Sequence, residues 1–572
     1  MLTRDLDFLK HKYRELLLPT LLMLLSDKIC LIADAVLIGY FFEDSSFLSA
    51  INMASPYIYF SAVLYTLFGV GGSLLALRAK ADQDDEKANF YFTAAIVGVL
   101  LANAIYIILI LAVGNDLVMF LYHMPQDIHG VFLSYSNILI FYFPFICYIL
   151  TLGYFARSDG YPNLPFVALL ISNISNIIIS YSLMEFLDFG VAGSALGSVI
   201  GYALGSLYIS IYFLKKDRDF YLTKGIRLKE SLMAAFEFLK NTPEIISRIF
   251  INFKVLFYSV LCADFLGIAG LMAFLVYDNS ETVVYMFVSA IAKVMTPIVA
   301  VFYKEKDYEA VEYIVRRSVL HILIISIPVS ILFAVYPELF TYIFTLDDPA
   351  EAEIICTALR ITSLGLAARC LSLLLSSYTQ AIEENRLASL MNISEEFIVA
   401  FGGAIVLTSI YGAIGIWYAL VLADIVPIII YAIAALIFEI RNEERIRAIL
   451  LLQDTNTVTW TYERGIDDVD HYLHGEKKRF ILKIEAMLNE KSPVALQSID
   501  CIHENVMKDE DMQTVDVTVR YLEDTVTLTI TYEGKLINPI DDAVVDMLGG
   551  IGGDCEYSPI LGFNRAYVNV PI

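Results

Sequence analysis

Apolar runs of 20 residues or more recur from about residue 14 to 440, separated by short polar stretches, and none occurs in residues 441–572. Each run is long enough to cross a hydrocarbon core of roughly 30 Å as a helix. Lipid offers no partner to backbone N–H and C=O groups, so a segment of this kind bonds within itself as a helix. A mean hydropathy of +0.65, with 58% hydrophobic and 18% charged residues, agrees with a lipid-embedded chain and argues against a soluble enzyme.

Twelve such segments lie near 14–40, 49–77, 89–113, 131–155, 164–186, 190–214, 243–266, 269–302, 318–345, 353–381, 388–410 and 413–439. The charged start MLTRDLDFLKHKYREL runs into a stretch longer than a signal-peptide core, so the first segment is expected to be retained. Basic residues gather in alternate connections, among them Arg78, Lys80, Lys87, Arg157, Lys215, Lys216, Lys304, Lys306 and Arg386, while the opposite connections hold no Lys or Arg. Basic loops stay inside, which places both termini in the cytoplasm of a multi-pass protein of the cell (inner) membrane.

The longest basic connection divides the spans into two sets of six. The expected fold is an all-α membrane protein, with lobes at 1–214 and 243–440 joined by a cytoplasmic connection, 215–242, and followed by a small α+β cytoplasmic domain, 441–572. The second span runs into LALRAKADQDDEKANFYF and the eighth into AVFYKEKDYEAVEYIV, so the halves read as repeats with a substrate cavity between them.

The net charge of −24 places 13 basic and 24 acidic residues in the tail, which excludes nucleic acid as a partner. Seven scattered cysteines form neither a disulfide framework nor a metal-ligand pattern, and no metal site is expected.

A charge inside a bilayer costs at least roughly 2.5–3.5 kcal/mol, so every ionisable residue there is a candidate for function. Asp27 and Asp34 lie seven apart on one face of the first span, and Pro19 allows that span to bend. Asp34 reads either as a group that exchanges a proton or sodium ion, or as a permanent partner of Lys28, Lys254 or Arg369. Asp278 and Glu281 share a face of the eighth span and suit a cation, or else pair with Lys254 or Lys293. Glu395 and Glu396 read as groups snorkelling to the interface. Asp424 lies deeper in the last span and joins Asp27, Asp278 and Glu281 as a candidate cavity residue.

Several stretches resemble the MATE (multidrug and toxic compound extrusion) family. IADAVLIGYF followed by SAINMASPY is similar to that family's first loop region, YFARSDGYPNLPF to its loop after the fourth helix, and NIIISYSLMEFLDFGVAGSALGSVIGY to its fifth and sixth helices. The resemblance implies a secondary active antiporter, not an enzyme, that exports small amphipathic or cationic compounds against protons or sodium. It implies Asp34 and Asn176 as coupling residues, with Ser180 where the family often has a second carboxylate, and Arg157 and Asp159 as a cytoplasmic latch. A lipid-linked saccharide flippase and a membrane sensor are the alternatives.

The tail reads as a strand at TNTVTWTYE, an amphipathic helix at 466–488, a second helix at SPVALQSIDCIHENVMKD, and strands VDVTVRYL and TVTLTITY. Its last stretch resembles the anti-sigma-factor branch of histidine-kinase-like ATPases. Glu504 and Asn505 are adjacent, Tyr532 stands at the adenine position, and GGIGG at 549–553 follows its helix, so no nucleotide cofactor is expected. A regulatory fold with a cytoplasmic protein partner is expected instead.

Overall fold

The computed structural model describes residues 7–41, 54–121, 126, 129–214, 220–223, 228–339, 349–442, 448–452, 458–463, 481–482, 484–485, 487–506, 514–521, 525–532, 538–560 and 563–571. Its helices are α1 (Asp7–Phe41), α2 (Pro56–Ala81), α3 (Asp85–Phe120), α4 (His129–Ser158), α5 (Asn163–Glu185), α6 (Val191–Phe213), a short α7 (Leu228–Asn241), α8 (Glu244–Gly267), α9 (Val276–Lys304), α10 (Tyr308–Val335), α11 (Ala352–Ala381), α12 (Asn385–Tyr411) and α13 (Ile414–Arg441). Among the described residues, 11 helices are long and apolar enough to cross a membrane, and α1, expected as a twelfth, stands outside that count.

Two kinds of turn recur and explain how the helices fold back. At one end the chain reverses at Gly190 (φ 59°, ψ −144°), Gly267 (φ 64°, ψ −150°) and Gly412 (φ 63°, ψ −143°). That backbone shape is open only to glycine, so each reversal is written as one residue. At the other, basic end a left-handed residue precedes the next helix: Gln83 before Asp84, Lys306 before Asp307, and Glu383 before Glu384. Asp84 and Asp307 cap α3 and α10 by accepting from the Lys87 and Ala310 N–H groups, at 2.9 and 3.2 Å. The similar charged turns after the second and eighth segments therefore fold alike.

The buried core of the described helices divides into two clusters. One draws on residues from Met23 to Phe238, the other chiefly on residues from Tyr258 to Leu452. Helix α1 serves both: Leu9, Tyr13 and Leu16 belong to the second cluster and Met23 to the first. Asp27 and Asp34 lie on α1, but their side chains are outside the described residues.

The tail forms a five-stranded antiparallel sheet of order β1-β2-β3-β5-β4, with strands Val458–Glu463, Thr514–Tyr521, Thr525–Tyr532, Asp554–Tyr557 and Asn564–Pro571. Alternation gives it an apolar face, where Val517, Ile530 and Val568 pack with Ile499 and Ile502 of α14 (Ser492–Val506) and Leu548 of α15 (Asp542–Gly549). Most of the amphipathic helix expected at 466–488 lies outside the described residues.

Candidate functional site

The second half of the bundle holds a buried cluster of charge drawn from five helices. Arg369 on α11 is its hub, with Nε 2.8 Å from Glu281 Oε1 on α9, Nη1 3.7 Å from Asp424 Oδ1 on α13 and Nη2 4.0 Å from Glu396 Oε1 on α12. Lys254 on α8 pairs with Glu396, and the Ser372 hydroxyl donates to Glu395 at 2.5 Å. Asp278, half-buried, lies within electrostatic reach of Glu281, Arg369 and Lys254. Among the described residues five carboxylates thus share two cations, and such an excess of negative charge away from water calls for protons or a cation to balance it.

Local structure builds the cluster. Gly365 has no side chain where a Cβ would stand 2.5 Å from Asp424 Oδ2, so α13 brings its carboxylate against α11 one turn before Arg369. Residues Ser394–Ile398 form a π-helical turn. Consecutive residues on a regular helix diverge by about 100°, but the widened turn buries both Glu395 and Glu396. This corrects the reading of the two glutamates as snorkelling groups. It also gives the partner of Glu281, which pairs with Arg369 rather than with Lys254 or Lys293, while the pairing expected for Asp34 lies outside the described residues. Lys293 instead donates to the Tyr154 hydroxyl at 2.8 Å.

The first half offers a neutral counterpart. The Ser180 and Ser198 hydroxyls donate to Asn176 Oδ1 at 2.8 and 3.3 Å. Tyr202 donates to Asn173 Oδ1 at 2.9 Å, and Asn173 Nδ2 to the Ser26 carbonyl of α1 at 2.9 Å, one residue before Asp27. Helix α6 reaches these groups through Gly197, Gly201 and Gly205, which face Ser180, Asn176 and Ser172 of α5. That small-residue spacing, every fourth position, was readable in the sequence as a close-packing signal.

The basic ends of the halves meet directly. Arg78 Nη2 on α2 donates to the Gln380 and Ala381 carbonyls of α11 at 2.5 and 3.3 Å, and its Nε lies 3.5 Å from Glu383. Lys304, the last residue of α9, sits 3.4 Å from Asp82 and 3.2 Å from Glu383. Arg157 and Asp159, the latch expected from sequence, lie at this end, with Arg157 beside Glu244 and Lys293 of the second half. Asp159 accepts from Tyr212 of its own half at 2.6 Å, and the Arg157 guanidinium covers the Tyr154 ring at 4.3 Å and donates to Thr20 at 3.4 Å. Arg157 lines a cavity of about 50 Å³ with Thr20, Ser73, Tyr154, Glu244 and Lys293. That volume has room for water.

In the tail, Asn505 Nδ2 donates to the Pro539 carbonyl at 3.0 Å and lies 3.1 Å from Asp541, Tyr532 is buried, and the glycines of 549–553 follow α15. Among the described residues no group of His, Cys, Asp and Glu is placed to hold a metal ion.

The model of the MatE family matches this chain twice, over residues 19–182 and 243–406. The multidrug export protein MepA of Staphylococcus saprophyticus is 25% identical over 399 residues, covering 67% of this chain and 84% of that protein. A solved MATE structure in the bent conformation superposes with a TM-score of 0.67 at 18% identity, covering 74% of this chain and 93% of the other. A multidrug resistance MATE family transporter of the MOP superfamily, solved outward-facing, gives a TM-score of 0.65 at 18% identity, covering 73% and 93%.

Proposed function

The chain belongs to the MatE family, and from that premise we propose that it is a secondary active transporter exporting small amphipathic or cationic compounds in exchange for protons or sodium. The observation that carries this reading is the buried cluster around Arg369, in which Glu281, Glu395, Glu396, Asp278 and Asp424 exceed Lys254 and Arg369 in charge. A site with more carboxylates than cations takes up a proton or a cation when it meets one side of the membrane and yields it at the other. Asp34, on the stretch that resembles the family's first helix, is the coupling group of the first half.

The architecture under this reading is twelve spans in two six-helix lobes, with α1 as the first span and the basic turns facing the cytoplasm. The lobes rock about a cavity between them, and the described arrangement is closed on the cytoplasmic side by Arg78, Asp82, Lys304 and Glu383. The family name of its relatives and the multidrug export named for MepA support the substrate class.

The test is efflux of a cationic dye from proteoliposomes under an imposed proton or sodium gradient. Wild type should pump with one of the two gradients, while Glu281→Gln, Asp424→Asn and Asp34→Asn each lower gradient-driven efflux roughly tenfold or more, the scale of one lost charge interaction. Undiminished efflux in all three variants would refute the coupling assignment, and no efflux of any cation by wild type would refute the transport reading.

A further inference from the structure

The sheet of the tail has one apolar face under α14 and α15 and a second face of polar residues. A sheet covered by helices on one side ordinarily leaves the other in water. Here Thr518, Arg520, Thr527, Thr529, Arg565 and Tyr567 on the second face are all 7% exposed or less.

The basic end of the bundle covers them. Arg565 pairs with Glu305, the Tyr567 hydroxyl donates to the same carboxylate at 3.1 Å, and Arg520 Nη1 donates to the Lys304 carbonyl at 3.1 Å. Asn569 Nδ2 donates to Gln83 Oε1 at 2.9 Å. Gln83 follows α2 and Glu305 follows α9, so one sheet face grips the corresponding turn in each half. Phe563 packs beside Phe302 with 6.5 Å between ring centroids, and the Arg565 guanidinium lies 4.8 Å over that same Phe302 ring.

Lys304 joins the two systems. Its ammonium bridges Asp82 of the first half and Glu383 of the second, while its carbonyl receives Arg520. The closure between the halves and the docked sheet therefore share a residue.

We propose that this polar sheet face is a docking surface whose partner is the gate of the same chain, and that the docked domain holds the gate shut until it is released. The proposal rests on the reading of the chain as an alternating-access transporter. Its chemistry suits a reversible contact: Ile560 and Phe563 anchor it in the core of the second half, but the rest is hydrogen bonds and an ion pair, which exchange with water more readily than an apolar seam does. A cavity of about 650 Å³, lined by Asp82, Lys304, Glu383, Arg520, Thr527 and Asn569, remains at the junction, so the contact is open to water. The linker is pinned to the bundle, with Tyr431 and Tyr378 donating to the Ile449 and Leu450 carbonyls at 2.6 and 2.5 Å, which keeps a released domain tethered.

The test uses the full-length protein in liposomes. Spin labels on Lys87→Cys and Arg386→Cys, both exposed at the basic ends of α3 and α12, report the separation of the halves; Cys30→Ser, Cys501→Ser and Cys555→Ser remove the thiol outside the described residues and the partly exposed ones among them. Tyr567→Phe with Asn569→Ala deletes two docking hydrogen bonds and leaves the apolar core of the sheet untouched. The separated population should grow roughly tenfold. In a second variant without spin labels, Gln83→Cys and Asn569→Cys joined by a short reducible bis-thiosulfonate should stop dye efflux, and reduction should restore it. An unchanged distance distribution in the first variant, or full efflux from the cross-linked second, overturns the docking proposal. A distance response without dye efflux in any protein, wild type included, leaves docking standing and overturns the transport reading.

Discussion

Arg369 Nε lies 2.8 Å from Glu281 Oε1, and the same guanidinium reaches toward Asp424 and Glu396, so one cation holds carboxylates from three other helices. Removing one partner of a buried ion pair costs about 3–5 kcal/mol because the remaining charge is left unpaired. Arg369→Met should therefore lower the thermal midpoint in detergent by many degrees. Arg369→Met combined with Glu281→Gln removes part of the uncompensated charge and should recover much of the loss. Equal midpoints for wild type and Arg369→Met would show that the pairing contributes nothing to stability.

Gly201 fixes how closely α5 and α6 approach. A Cβ there would stand 2.7 Å from both the Asn176 nitrogen and the Ser172 carbonyl oxygen, which are backbone atoms with little freedom to yield. Gly201→Ala should cost about 1–3 kcal/mol, the usual range for overpacking. Gly402→Ala, at a site with nothing within 4 Å of the added atom, serves as the control and should change stability by less than about 0.5 kcal/mol. A fluorescence melt of the two variants separates them.

Eleven of the twelve expected spans were legible because lipid imposes one solution on a long apolar run, and the basic turns marked alternate connections between them. The partners of the charges were not legible. A periodic reading assumes a regular helix, and the π turn at Ser394–Ile398 breaks that assumption just where Glu395 and Glu396 turn inward. The polar face of the tail sheet posed a related problem: alternation distinguishes Val517 and Val519 from Thr518 and Arg520, but it assigns the polar set to water, whereas the gate covers it. Arg78 and Asp82 looked like ordinary members of a basic turn, since their partners, Gln380, Glu383 and Lys304, are remote in the sequence.

Docking of the tail should depend on pH through Glu556 of β4. Burial holds its carboxyl above the usual carboxylate range, with Asp85 of the first half and Asp554 adding to the shift and Lys80 opposing it. The docked state thus binds a proton more tightly than the released state, so docking tightens as pH falls through the raised value and weakens above it. Glu556→Gln should remove this dependence and keep the contact tight at neutral pH. Spin-label distances between the halves, measured across the acidic range, check both statements, and a wild-type distribution that did not move with pH would contradict them.

Arg78 closes the basic end by an unusual route. Helix α11 ends at Ala381, and the last carbonyls of a helix have no partner within it. Arg78, from the other half and 4% exposed, donates to two of them, at Gln380 and Ala381. A positive group at a helix C-terminus is further favoured by the helix dipole. Arg78→Ala would leave the Gln380 carbonyl with the Glu383 N–H alone, take the Arg78 donor from the Ala381 carbonyl and leave the Glu383 carboxylate with Lys304 alone, so the closed arrangement loses charge-assisted hydrogen bonds of about 1.5–3 kcal/mol each. Lysine, a point charge on a flexible stem, cannot match the planar fork, so Arg78→Lys should restore the closure only in part. Ser73, five residues before Arg78 on α2 and on the wall of the small cavity that Gln380 also lines, provides the readout. With Ser73→Cys in inside-out vesicles, a membrane-impermeant maleimide should react roughly tenfold or more faster when Arg78 is alanine, with Arg78→Lys between the two. Equal labelling rates would mean that the gate is closed by other contacts and that Arg78 only decorates it.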